Sequence, residues 1–239
     1  MSFLSFFRDG TRPLVCERKF AGPLLLAARA EAVLRARCAP DAGHPAGKIR
    51  SIYFDTPDLS AWAEKDNGDA LKRKIRVRWY DDDEPSPDGT LRAYLEVKYR
   101  VCAARRKTRA VVSVPAEWIR AVPLSDPSLP AFLAAHEAEL GEPTAGWSPV
   151  CCIGYDRLRF DDPLGGSRVA LDRDIRADRI NLARFPWARP VVLDAAVCEF
   201  KNPGGVPPAW AEDVRDAGMR LRSFSKFGEI MQRLAEAKI

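Results

Sequence analysis

Hydrophobic and polar residues alternate along long stretches of this chain, and that alternation predicts most of its elements. In Leu71-Lys-Arg-Lys-Ile-Arg-Val-Arg-Trp-Tyr80, strand geometry puts Lys72, Lys74, Arg76 and Arg78 on one face and Ile75, Val77 and Trp79 on the other. The same period of two predicts further strands over 14–20, 49–54, 92–99, 105–114, 150–160, 168–172 and 193–201. Helical signals lie among them. Residues 24–37 are rich in Leu and Ala and follow Gly22-Pro23, and 130–140 read as a second helix. Pro207-Pro208 opens a third, with Trp210 and Val214 four apart, and 226–237 form a last one with Ile230 and Leu234 similarly spaced. The proline-bearing stretches 81–89 and 123–130 read as loops. Eight strands with helices before, between and after them predict one α+β domain over 1–239, built on a large antiparallel sheet or barrel.

The polar faces of these strands are unusual in kind. Glu17 and Lys19 share a face of the first strand, and Glu96 and Lys98 do so opposite Leu95, Val97 and Tyr99. Lys107 with Arg109, Tyr155 with Arg157, Arg168 with Asp172, and Glu199 with Lys201 follow on later strands. With Lys226 included, ten cations on the common face (Lys19, Arg76, Arg78, Lys98, Lys107, Arg109, Arg157, Arg168, Lys201, Lys226) meet four carboxylates (Glu17, Glu96, Asp172, Glu199). Any antiparallel sheet with one wet face alternates charged and apolar residues. A merely solvated face, however, mixes both signs of charge, and like charges opposed on neighbouring strands repel. Such rows are therefore expected to hold a polyanion. Closed into a barrel of about eight strands, the sheet has room for side chains and a slender ligand such as a polyphosphate chain. Arg offers planar bidentate donors to phosphate and Lys a point charge. The few carboxylates suit Mg²⁺ or Mn²⁺, which take oxygen donors together with substrate phosphates.

Composition narrows the alternatives. The chain has 239 residues, 46% of them hydrophobic, and a net charge of only +5, so the partner is set by clustering of charge. Its six cysteines show no C-x-x-C spacing and only His44 and His136 could assist them, so zinc is not expected and reduced thiols in a cytoplasm are. The apolar opening Met1 to Phe7 is shorter than a secretory segment, and no stretch approaches the roughly 20 apolar residues of a membrane span, although a membrane partner could hold the protein. No P-loop or G-x-G-x-x-G occurs, and Gly165-Gly166 and Gly204-Gly205 read as turns. His44 reads as a surface residue. Trp79 and Tyr80 could stack on bases, but Trp79 falls on the apolar face, so nucleic acid is not the expected partner.

Eight motifs run in order over about 14–230: Glu17-Arg-Lys-Phe20, Ser51-Ile-Tyr-Phe-Asp-Thr-Pro57, Lys74-Ile-Arg-Val-Arg-Trp-Tyr80, Leu95-Glu-Val-Lys98, Tyr155-Asp-Arg157, Arg168-Val-Ala-Leu-Asp172, Cys198-Glu-Phe-Lys201 and Ser223-Phe-Ser-Lys-Phe227. Together they resemble the VTC domain of polyphosphate polymerases, in the CYTH-like triphosphate tunnel metalloenzyme superfamily. The resemblance implies an eight-stranded antiparallel β-tunnel and transfer of the ATP γ-phosphate to a growing polyphosphate chain. It implies that Lys19, Arg76, Arg78, Lys98 and Lys226 are catalytic, and that Lys107, Arg109, Tyr155, Arg157, Arg168, Lys201, Arg222 and Ser225 bind substrate. Glu199 would hold a divalent metal, Mn²⁺ or Mg²⁺, with Glu17 and Glu96 as further candidates. Arg222 stands where the family commonly has Lys in its Lys-x-x-Ser-Lys run, which keeps charge but alters geometry. The sequence holds no phosphate-sensing helical domain or membrane segments of the kind found in eukaryotic relatives. The resemblance thus carries neither transport coupling nor inositol phosphate regulation over to it, and any inner-membrane association would come through a partner. Two alternatives stay open: a hydrolase that cleaves triphosphate or ATP in the same tunnel, and a non-catalytic module that binds polyanions.

Overall fold

A computed structural model describes residues 15–66, 71–101, 104–203 and 207–237. The opening Met1 to Phe7, Leu14, Cys102, the Gly204-Gly205 pair and the side chain of Lys72 lie outside the described residues. The chain runs β1 (Val15–Gly22), a 3-10 turn (Leu24–Leu26), α1 (Ala27–Arg37), β2 (Ala39–Pro40), β3 (Ala46–Asp55), α2 (Ser60–Asp66), β4 (Leu71–Tyr80), β5 (Thr90–Val101) and β6 (Ala104–Pro115). It continues with α3 (Ala116–Ala121), α4 (Ser128–Ala135), α5 (Glu137–Leu140), β7 (Ser148–Asp161), β8 (Arg168–Ile180), β9 (Val191–Val192), β10 (Ala196–Pro203), α6 (Ala211–Asp216), β11 (Arg220–Leu221) and α7 (Lys226–Glu236). The fold is α+β, and the ladders that join β1 to β10 and β11, β10 and β9 to β8, β2 to β7, and β3 to β6 in turn are antiparallel. Among the described residues eight strands have eight residues or more, the number the alternation predicts, and β2, β9 and β11 are two-residue additions.

Two compact units share this chain. The first takes the described parts of Met1–Ala46, Leu158–Arg173 and Ala195–Ser223, and the second those of Gly47–Arg157, Asp174–Asp194 and Phe224–Ile239. In the first, the strand order is β11-β1-β10-β8, and β2 pairs with the end of β7. One stripe of α1, Ala27, Ala30 and Leu34, packs with Phe20, Leu171, Cys198 and Phe200. Leu34 is fully buried, and its truncation to Ala would cost about 2–5 kcal/mol. The helix ends where Cys38 donates its N–H to the Leu34 carbonyl at 2.8 Å and the chain extends into Ala39-Pro40.

In the second unit the order is β7-β3-β4-β5-β6. Ile52, Phe54, Ile75, Val77, Trp79, Leu95 and Val97 form one apolar layer of that sheet, as alternation requires, with Ile119, Leu129 and Leu133 packed on it from α3 and α4. The expected helix over 130–140 is two helices separated at His136, whose φ of −115° is not helical. The strand expected over 168–172 runs on to Ile180 past Asp174, a residue with φ +53°, and the one expected over 193–201 begins only at Ala196. Helices α2 and α3 were not expected, since each is under two turns. Asp55 holds the start of α2 by accepting the N–H groups of Ala61 (2.9 Å) and Trp62 (3.1 Å), and Pro115 turns β6 into α3. Gly165-Gly166 is a turn, with Gly166 at φ +62°. The thiols of Cys38, Cys151, Cys152 and Cys198 are free and buried, and burial pushes Cys151 and Cys198 well above a thiol's ordinary value. No helix among the described residues is long and apolar enough to cross a membrane.

Candidate functional site

The polar face of the second unit is assembled by register. Tyr53, Arg76, Glu96 and Arg109 lie opposite one another across β3 to β6, Ser51, Arg78 and Tyr94 form the next row, and Lys74, Lys98 and Lys107 a third. Residues paired in this way share a face. Glu96 is fully buried at the centre. Its Oε2 accepts Arg76 Nε (2.8 Å) and Nη2 (2.5 Å), and its Oε1 accepts Arg109 Nε (2.8 Å) and pairs with Lys107. Burial alone would push this carboxyl up, but Arg76, Arg78 and Lys107 hold it well below the usual carboxylate range. Burial, backed by repulsion from Arg109 and Arg76 and only partly offset by Glu96, brings the Lys107 ammonium down to about 8.

Arg78 differs from Arg76. It is 9% exposed, yet it donates only to hydroxyls: Nη2 to Tyr155 at 3.1 Å and Nε to Ser51 at 3.3 Å. Among the described residues no carboxylate pairs with it. The Tyr155 ring carries Lys226 Nζ at 4.4 Å and the Arg157 guanidinium at 5.4 Å from its centroid, so three cations meet on one buried side chain. Lys226 is placed by α7, whose buried Phe227, Ile230, Met231 and Leu234 make one apolar stripe. Ser225 caps that helix, accepting from the Gly228 N–H at 3.2 Å, and the same hydroxyl accepts Lys74 Nζ at 2.8 Å. Phe227 stacks on Tyr53 with centroids 4.9 Å apart. Lys226 shares the first turn of α7 with Glu229, the acidic residue that suits the helix dipole there.

The first unit carries a smaller polar row of its own. Lys19 lies opposite Glu199, Glu17 opposite Lys201, and Lys201 opposite Arg168. Lys19 Nζ is 3.0 Å from Glu17 Oε1 and 3.8 Å from Glu199 Oε2, and Lys201 Nζ is 3.1 Å from Glu199 Oε1. Burial would lower the Lys19 ammonium, but Glu199 and Glu17 raise it above its ordinary value. Asp172, fully buried, adds to that field. Arg168 and Arg222 are exposed, and the Arg222 N–H donates to the Lys19 carbonyl at 3.0 Å.

The structure thus gathers Arg76, Arg78, Glu96, Lys98, Lys107, Arg109, Tyr155, Arg157, Ser225 and Lys226 in the second unit, and Glu17, Lys19, Arg168, Glu199, Lys201 and Arg222 in the first. Ser51, Tyr53 and Tyr94 belong to the second face without having been singled out, and Lys74 there holds Ser225. Ser51 and Tyr53 are two apart on a strand and their alternation was readable, but their partners depend on register. Arg109 stacks over the Tyr94 ring at 4.9 Å. Trp79 is on the opposite, apolar layer and 1% exposed, which removes it as a stacking platform.

The sequence model of the VTC domain matches residues 23–235. No curated protein matches the chain. Among solved structures, it is similar to a Hippeastrum protein assigned as an adenylyl cyclase with a dominant triphosphatase activity, at 14% identity over 90% of this chain and 93% of that one, TM-score 0.48. A Bacillus halodurans protein assigned as an adenylate cyclase is 12% identical over 93% and 90%, TM-score 0.48. The Mimivirus capping enzyme triphosphatase is 11% identical over 90% and 92%, TM-score 0.36.

Proposed function

The chain belongs to the VTC domain family, and from that premise we propose that it transfers the γ-phosphoryl group of ATP to a growing inorganic polyphosphate chain. The observation that carries the reading is Arg78, a buried guanidinium served only by the neutral hydroxyls of Ser51 and Tyr155. Glu96 acts on Arg78 only through space and is already bonded to other cations, and a buried guanidinium with no carboxylate in hydrogen-bond contact is costly unless an anion arrives to pair with it. Beside it, Glu96 is the one carboxylate shared by Arg76, Lys107 and Arg109. The face therefore keeps a surplus of positive charge, arranged in rows about 7 Å apart along β4 at Arg76 and Arg78, which suits successive phosphates.

In this reading Arg78, Lys98, Lys107, Arg109, Arg157 and Lys226 hold phosphate oxygens, while Glu96 fixes Arg76 and orients the row. Ser225 and Tyr155 place Lys74, Lys226 and Arg78. A terminal oxygen of the polyphosphate acceptor forms a bond to the γ-phosphorus as the bond from that phosphorus to the β-bridging oxygen breaks, and the electron pair leaves with ADP. Catalysis is then positioning plus stabilisation of charge on the moving phosphoryl group. We assign Lys19, Arg168, Lys201 and Arg222 of the first unit as further phosphate-binding cations.

Among the described residues no three His, Cys, Asp or Glu side chains cluster as a metal cage. Glu17 and Glu199 nevertheless fit a divalent ion of the Mg²⁺ or Mn²⁺ kind, which needs only one or two carboxylates with phosphates. Their oxygens already converge on one cationic group, the Lys19 ammonium. When bound, such an ion neutralises phosphate oxygens. Glu96 fits less well, since both its oxygens are occupied by Arg76, Lys107 and Arg109.

The test is incubation of the purified protein with ATP and Mn²⁺ or Mg²⁺, with products resolved on a gel stained for polyphosphate. A ladder is expected. Free phosphate without a ladder would assign the same face to hydrolysis, and unchanged ATP would reduce it to a polyanion-binding module.

A further inference from the structure

The turn from β7 to β8 and the end of β10 carry polar groups that the phosphate reading does not use. Asp162, Ser167 and Asn202 are 3%, 2% and 1% exposed, and each stands two residues from a core residue of the first unit, Phe160, Val169 and Phe200 in turn. The three side chains close one end of that apolar layer. We propose that Asp162 Oδ2, Asn202 Oδ1 and Ser167 Oγ hold a monovalent metal cation of the Na⁺ or K⁺ kind. The site does not depend on where phosphate binds.

Two of these oxygens have nothing to bond. Asp162 Oδ1 accepts the Leu164 N–H at 3.1 Å, whereas the buried Oδ2 has no hydrogen-bond partner among the described residues. Asn202 donates Nδ2 to Ser167 Oγ at 2.5 Å, which leaves its Oδ1 as a second buried acceptor without a partner. Buried polar groups in folded proteins are nearly always served, so two orphan acceptors at one end of a core call for a ligand. A buried carboxylate calls for more, a charge of the opposite sign.

Gly165 shows where that ligand fits. A side chain there would place its first carbon 2.5 Å from Asp162 Oδ2 and 3.7 Å from Ser167 Oγ. Glycine therefore keeps clear a space that both oxygens border, and Asn202 reaches the same hydroxyl. The backbone holds the donors in place. The Asp162 N–H donates to the Ser167 carbonyl at 2.8 Å, and the Gly166 N–H to the Asp162 carbonyl at 3.1 Å. Ligands fixed in advance lose little freedom when an ion arrives.

The donor set selects the ion. All three atoms are oxygens, which suit hard cations over those that prefer sulfur or imidazole. Only the carboxylate is charged, so a monovalent ion cancels it, whereas a divalent one would bury a net positive charge at further cost. A water molecule could donate to both acceptors, yet it would leave the carboxylate's charge uncompensated. The place of the site in the sheet gives it a consequence. Ser167 precedes Arg168 and Asn202 follows Lys201, and those two cations lie opposite one another. An ion that ties Ser167 to Asn202 thus fixes the strand ends that carry both.

Thermal melts of the full chain in NaCl, KCl and choline chloride, at equal total salt, test the proposal on the unaltered protein, Asp162→Asn and Gly165→Ala. Na⁺ or K⁺ should raise the midpoint of the unaltered protein above that in choline, saturably, by about 2–4 °C at roughly five times the dissociation constant. Asp162→Asn should melt at one temperature in all three salts. In choline it should melt no lower than the unaltered protein, because it no longer buries an uncompensated charge. Gly165→Ala puts a methyl group into the space beside Asp162 Oδ2 and should also lose the dependence on the cation, which keeps the test intact if one variant does not fold. Equal midpoints of the unaltered protein in the three salts would overturn the proposal and assign the orphan oxygens to ordered water. A rise of the same size in Asp162→Asn and Gly165→Ala would overturn it too, by placing the cation's effect elsewhere.

Discussion

Replacing Glu96 by Gln removes the one negative charge shared by Arg76, Lys107 and Arg109 while keeping the shape of the side chain. Arg76 is 8% exposed and would be left with neutral acceptors, the Tyr53 hydroxyl at 2.9 Å and an amide oxygen in place of the carboxylate. Breaking a buried ion pair by removing one partner costs roughly 3–5 kcal/mol. The variant should therefore unfold at lower urea concentration at neutral pH, by about that free energy. The pH dependence follows from the depressed carboxyl of Glu96. Its stabilising contribution is complete above the unfolded value, about 4.3, and is lost as pH falls below it toward the much lower folded value. Stabilities of the two proteins should thus converge in acid and diverge near neutrality. Tripolyphosphate supplies the missing negative charge, so it should raise the midpoint of Glu96→Gln more than that of the unaltered chain. Urea titrations at several pH values, with and without tripolyphosphate, measure all of this. If the variant matched the original protein within about 0.5 kcal/mol at neutral pH, Glu96 would not be the counter-charge of the row.

Arg78→Ala should weaken tripolyphosphate about tenfold to a hundredfold, the value of one charge-assisted contact. Val77→Ala should instead lower thermal stability with little effect on affinity, because Val77 is fully buried in the opposite layer; equal loss of binding in the two would show the face assignment to be wrong. Lys107, at about 8, should lose its charge as pH rises through that value, so tripolyphosphate affinity should decline from pH 7 to 10 in the original protein. The decline should flatten in Lys107→Arg, and titrations that show the same slope for both would discard Lys107 as a ligand. Glu199→Gln should abolish metal-dependent turnover without unfolding the protein, and full turnover of that variant, or of the original in excess chelator, would take the metal out of the mechanism.

The alternation of Arg76 and Arg78 with Ile75, Val77 and Trp79 made the two faces of β4 legible, because a strand's period of two needs no knowledge of its neighbours. Which cation meets which carboxylate was not legible. Glu96 reaches Arg76 and Arg109 only because residues 76, 96 and 109 are in register across three strands, and register is a property of the folded sheet. The length of β8 was hidden for another reason. Beyond Asp172 the run Arg173 to Ile180 is mostly charged, and Asp174 with its positive φ breaks the simple alternation. Helix α2 is not legible in the sequence because it is under two turns long and its caps, Asp55 and Thr56, lie at the end of the strand before it rather than at its own start.

The two units are interleaved, with the chain passing from one to the other at 46/47, 157/158, 173/174, 194/195 and 223/224. That arrangement has a consequence for the order in which the protein can form during synthesis. The first unit cannot be complete before residue 223 has been made, and the second still lacks α7, with Phe227, Ile230 and Leu234 of its core and Lys226 of its basic face. A nascent chain would thus expose Tyr53 and Tyr155 without their partners Phe227 and Lys226 until α7 has left the ribosome. Binding of phosphate by the basic face of the second unit should then appear only after α7 has been made.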